Sequence, residues 1–109
     1  MAYGEVLKAF IDSSGISKTY ICESLGISRP YLYAVFSGAT PPPVPEKQIQ
    51  LADLLNANKE QRSMLFDLAA SERNEPPADV AQCIKDPSFL NQIREEFIYS
   101  AERLELDER

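Results

Sequence analysis

The chain has no histidine and only two cysteines among its 109 residues, and these scarcities remove much of enzyme chemistry. Most proton-shuttling and nucleophilic triads depend on an imidazole. Zinc sites ordinarily use histidines or more cysteines at short spacing, and a disulfide framework needs cysteines in number. Cys22 and Cys83 stand far apart, each on an apolar helix face where a reduced thiol packs as a small hydrophobe. Glycine is also sparse, at four residues, and three of these end helices, so no glycine-rich loop is left to cradle a phosphate. No apolar run approaches the ~20 residues of a membrane span, and no charged-then-apolar leader opens the sequence. The expectation is a cytoplasmic protein that is not an enzyme, with no cofactor, no metal and no membrane partner.

Cations are the third scarcity. Eleven lysines and arginines face 17 carboxylates, a net charge of −6, which is awkward for a nucleic-acid binder because phosphate affinity comes from basic side chains. The deficit is uneven. Residues 1–40 balance Lys8, Lys18 and Arg29 against Glu5, Asp12 and Glu23, while residues 41–75 carry −2 and residues 76–109 carry −4.

What the chain does have is ordinary globular composition, 44% hydrophobic and 26% charged, at a length suited to one small domain with a helical extension. Its apolar residues recur at helical spacing almost throughout and nowhere alternate as in a half-buried strand. Tyr3, Val6, Leu7, Phe10 and Ile11 trace a first helix, stopped by Ser13-Ser14-Gly15. Ser17 caps a second, with Ile21, Cys22 and Leu25 inside and Gly26 at its end. Ser28 caps a third, with Arg29 and Pro30 in the first turn, Leu32 and Val35 as the inner stripe, and Gly38 as the stop. Residues 40–45, Thr-Pro-Pro-Pro-Val-Pro, predict a stiff extended connector. Glu46 opens a fourth helix bearing Ile49, Leu51, Ala52, Leu54 and Leu55, and Asn58 caps a fifth bearing Met64, Leu65, Phe66, Leu68 and Ala69. After the Asn74-Glu75-Pro76-Pro77 break, a short helix holds Val80, Ala81 and Ile84. A final helix from about Ser88 carries Phe89, Leu90, Ile93, Phe97, Ile98, Ala101 and Leu104. Glu95, Glu96 and the acidic residues from Glu105 to Glu108 read as solvated surface.

The informative stretch runs from Ser17 to Gly38: two short helices joined by Gly26-Ile27-Ser28. A glycine suits this turn because the chain bends sharply while the helices cross steeply. Cys22, four positions earlier, is small where the helices press together, and Ile27, Leu32 and Val35 fill the space beneath. The sequence Ile21-Cys22-Glu23-Ser24-Leu25-Gly26-Ile27-Ser28, continued through Tyr31-Leu32 and Val35 to Gly38, resembles the Cro/repressor-type (XRE-like) helix-turn-helix family. The likeness covers residues 3 to about 70, and the C-terminal segment matches less well. Two positions depart from the family pattern: Cys22, where alanine is usual, and Phe36, where glutamate is usual and where an aromatic ring suits either the core or the exposed face.

The resemblance implies an all-α, lambda-repressor-like five-helix DNA-binding domain over residues 1–73, with the helix-turn-helix at 17–38. A two-helix extension would occupy residues 74–109, and the wide apolar stripe of its final helix suits either dimerisation or closure of the monomer core. It further implies a transcriptional regulator, a repressor, that binds double-stranded DNA as a homodimer. The third helix would lie in the major groove, with Ser28, Arg29, Pro30, Tyr33, Ala34 and Ser37 pointing outward. Arg29 is the long basic side chain suited to guanine, and Pro30 and Tyr33 suit thymine methyls or sugar edges. Lys18, Tyr31 and the N–H groups opening the second helix would meet phosphates. Plainer readings stand beside these: Arg29 and Lys18 as solvated surface, Tyr31 and Tyr33 as cover for the core edge. At the level of function the alternative is a helix-turn-helix used as a protein-binding adaptor or antitoxin-like partner.

Overall fold

Residues 1–99 are described by the structure, a computed structural model, and over this range the chain is all-helical. The elements are α1 (Tyr3–Ser14), α2 (Lys18–Leu25), α3 (Arg29–Ser37), α4 (Pro45–Leu54), α5 (Lys59–Arg73), α6 (Ala78–Ile84) and α7 (Pro87–Ile93), followed by a π-helical stretch, Arg94–Tyr99. Local chemistry accounts for most of their ends. Ser17, Ser28 and Asn58 occupy the N-caps of α2, α3 and α5, each accepting a hydrogen bond from a first-turn backbone N–H. Gly15, Gly26 and Gly38 close α1, α2 and α3 in the left-handed conformation. Pro45 belongs to α4 rather than to the connector. As the first helical residue it has a fixed φ that suits the helix, and its missing N–H has no intrahelical role there.

The chain divides into two units, the first spanning Met1–Asp79. Its core gathers the inner stripes of α1, α2 and α3, with Leu51 from α4 and Leu65 and Ala69 from α5. Burial pushes the Tyr3 phenol well above its ordinary range, with Tyr31 and Glu72 adding to the effect. A smaller cluster joins Ala52, Phe66 and Ala78. The proline break places a boundary after residue 73 on sequence grounds, whereas the first unit reaches Asp79, with Ala78 buried on α4 and α5 side chains.

Long-range polar contacts stitch this unit. The cap of α1, Ala2, has no side-chain acceptor, and the Tyr3 N–H donates instead to Oε2 of Glu72 at 2.8 Å. Removing that acceptor in Glu72→Ala should cost about 1 kcal/mol, as other cap deletions do. Urea unfolding is the check, and an unchanged midpoint would remove Glu72 from the capping role. Other contacts hold the connector. Pro42 and Pro43 are buried, and their carbonyls accept from Nη1 of Arg73 at 2.8 Å and Nε2 of Gln48 at 2.8 Å. Glu75 grips the same guanidinium at 3.0 and 3.1 Å, and that pairing holds its carboxyl below the usual range.

The second unit begins at Val80, and none of its described residues is buried. Cys83 is therefore exposed, a correction to the expectation that both cysteines pack: only Cys22 lies in a core. The expected single final helix is α7 followed by the π-helical stretch, in which Phe97 is 69% exposed. Ala101, Leu104 and the acidic run from Glu105 to Glu108 lie outside the described residues. Among the described residues no helix is long and apolar enough to cross a membrane.

Candidate nucleic-acid interface

The pair α2 and α3 is joined by Gly26-Ile27-Ser28. Gly26 takes φ 67°, and its N–H and that of Ile27 both donate to the Cys22 carbonyl. Those two hydrogen bonds to one carbonyl close α2 and turn the chain at once. Ile21, Cys22 and Leu25 from α2, with Leu32 and Val35 from α3, then disappear into the core. Lys47 of α4 donates to the Leu25 carbonyl, so the exit of α2 is fixed from outside the pair as well.

With Leu32, Val35 and Phe36 buried, the remaining side of α3 faces solvent. Ser28, Arg29, Pro30, Tyr33 and Ser37 are exposed. Arg29, Tyr33 and Ser37 follow at four-residue steps and so share one face. From Ser28 to Ser37 this face runs roughly 13 Å along the axis. Ala34, also expected to point outward, is half-buried, and Tyr31 packs partly against the core. Both serine hydroxyls in the expected set already have partners. Ser28 Oγ accepts from the Tyr31 N–H, and Ser37 Oγ donates to the Ala34 carbonyl while accepting from the Ala39 N–H.

Phe36, one of the two residues that depart from the resembled pattern, is only 8% exposed. Its ring meets Tyr33 edge-on, with centroids 5.9 Å apart and planes at 83°, the geometry that aromatic quadrupoles favour. Tyr33 is thus braced at its base while 46% of its surface remains open. Tyr20 on α2 is 55% exposed and was not among the expected contact residues. Its position just before the buried pair Ile21-Cys22 puts it off the inner stripe, and that was readable.

Charge at the helix starts separates this pair from its neighbours. A helix N-terminus carries partial positive charge and is ordinarily complemented by an acid. Glu5, Glu46, Glu60 and Asp79 do this in α1, α4, α5 and α6, and Asp86 caps α7. The first turns of α2 and α3 hold no acid and begin on Lys18 and Arg29. Arg29 has no ion pair among the described residues, whereas Lys18 reaches Oδ1 of Asp12 at 3.4 Å.

No family model, curated protein or solved structure matches this chain. Its chemistry is therefore read from the site alone. An exposed guanidinium at a helix start offers paired donors to a planar acceptor, and an open tyrosine offers an apolar ring with a polar tip. Among the described residues no group of three or more cysteines and carboxylates is placed to hold a metal ion. A hollow of about 250 Å³ lies among Phe10, Ser13, Ser14, Leu55, Ala57 and Gln61. Two of its polar side chains serve the adjoining helix ends instead: Ser14 bonds the Ile11 carbonyl and the Ile16 N–H, and Gln61 accepts from the Asn58 N–H.

Proposed function

We propose that the chain is a sequence-specific DNA-binding transcriptional regulator, a repressor, built on a lambda-repressor-like five-helix domain whose helix α3 enters the major groove. The observation that carries this reading is that the first turns of α2 and α3 hold no acid of their own, with Arg29 unpaired among the described residues and exposed with Tyr33 on one face of α3. Two adjacent helices that forgo the usual acid at their starts are suited to an external anion, and DNA phosphate is that anion. Arg29 reads guanine, Pro30 and Tyr33 make apolar base or sugar contacts, and Lys18 meets the backbone. The protein acts as a homodimer on two half-sites about one helical turn, ~34 Å, apart. Exposed Phe97, Ile98 and Tyr99 in the second unit supply apolar surface for the pairing.

Selection of bound fragments from a random duplex pool tests this directly. Enrichment of a paired motif is expected, and Arg29→Ala should weaken binding to it by about 1–3 kcal/mol and relax one base position. A pool that shows no enrichment at low salt defeats the proposal. It would favour a second reading, a protein-binding adaptor or antitoxin-like partner. That reading draws on Tyr20 and Tyr33, which stand open on α2 and α3, and on exposed Arg29, residue types common at protein interfaces.

A further inference from the structure

Asp12 lies near the end of α1, and its carboxylate is shared by two ammonium groups. Lys8 Nζ approaches Oδ2 at 3.0 Å and Lys18 Nζ approaches Oδ1 at 3.4 Å. The hydrogen bond from Lys8, with Lys18 assisting, holds the Asp12 carboxyl below its usual range. Lys8 pairs at ordinary i,i+4 spacing within α1 and is 52% exposed, whereas Lys18 comes from the first turn of α2 and is 26% exposed. A cation at a helix start is electrostatically misplaced, and Asp12 supplies from a neighbouring helix the negative charge that the first turn of α2 lacks. Two of the three basic residues in the first forty are thus occupied by one carboxylate, each oxygen serving one lysine.

We propose that Asp12 is a built-in competitor for DNA phosphate, holding Lys18 and Lys8 in the free protein and on random sequence and yielding them only to a cognate duplex. The inference rests on the DNA-binding reading and adds a regulatory residue to it. Exposed ion pairs are weak and salt-sensitive, so the exchange is easy. Its effect is to subtract cations from non-specific binding, leaving discrimination to Arg29 and Tyr33. A chain short of basic residues that masks two more gives up affinity for random sequence and keeps its selectivity.

The test compares wild type, Asp12→Asn and Asp12→Glu on a random-sequence duplex across a salt series, each also in a Lys8→Gln/Lys18→Gln background. Asp12→Asn is expected to bind about three- to tenfold more tightly at low salt, with a log–log salt slope steeper by about 0.9 for each lysine released. Asp12→Glu, which keeps the carboxylate, should retain the wild-type slope. In the double-glutamine background the effect of Asp12→Asn on the slope should vanish. An unchanged slope for Asp12→Asn overturns the proposal while leaving DNA binding intact. So does an equal gain in both backgrounds, since that reflects only the removal of one negative charge. If neither wild type nor variant binds duplex at low salt, the DNA reading fails and this inference falls with it.

Discussion

Replacing Gly4 with alanine is expected to destabilise the first unit by about 3–4 kcal/mol, although alanine is the better helix former by about 1 kcal/mol. The reason is backbone proximity. At Gly4, α1 crosses the C-terminal half of α3 so closely that a Cβ would fall less than 3.0 Å from the carbonyl oxygens of both Val35 and Phe36. A side chain in the way can change rotamer, but a helical carbonyl cannot, so relief requires the two helices to part. Parting them unseats Tyr3, Val6 and Leu7 on one side and Val35 and Phe36 on the other, all buried. Interior overpacking typically costs 1–3 kcal/mol, and rigid neighbours put this site above that range. A unit of this size has a stability of only about 4–12 kcal/mol. Thermal unfolding should show a drop of well over 10 °C. A variant as stable as wild type, as propensity alone would have it, would refute the close approach.

Gly4 also marks the limit of what was legible in the sequence. The caps at Ser17, Ser28 and Asn58, the stops at Gly15, Gly26 and Gly38, and the inner stripes of α1 to α3 depend on residues within a turn or two, and they were readable. Gly4 sits inside a helical pattern, and nothing local distinguishes it from a tolerated defect. Its purpose is set by carbonyls some thirty positions further on. The same holds for Glu72, which reads as a surface acid of α5 yet caps α1, and for Arg73, whose guanidinium anchors the Pro42 carbonyl. Proline carbonyls that become buried must find donors from elsewhere in the chain, and composition does not say which. In the candidate interface, Arg29, Pro30 and Tyr33 were legible because they alternate with a clear inner stripe. The masking of Lys18 by Asp12 was not, because it joins the end of one helix to the start of the next. Cys83 was misread because its stripe in α6 has no buried counterpart among the described residues of the second unit.

Phe36→Glu would place here the residue usual in the resembled family, and it is expected to cost about 3–5 kcal/mol. At this position conformity to the pattern works against the fold. Phe36 lies in the same core cluster as Tyr3, Val35 and Leu65, and a carboxylate there would forfeit the ring's burial and enter an apolar site without a partner. In the chain as it stands, the ring closes the core beneath the end of α3 and braces Tyr33 edge-on. The two roles separate under a milder change. Phe36→Leu keeps an apolar side chain of smaller reach and should lose only about 1–1.5 kcal/mol, while the aromatic edge contact disappears. If the brace matters for recognition, Phe36→Leu remains folded at 25 °C, and its binding to a selected duplex loses preference at the base step facing Tyr33. Urea unfolding and fragment selection on the same preparation decide the matter. A Phe36→Glu variant that unfolds at the wild-type midpoint would place the ring outside the core, and unaltered base preference in Phe36→Leu would reduce its contact with Tyr33 to packing alone.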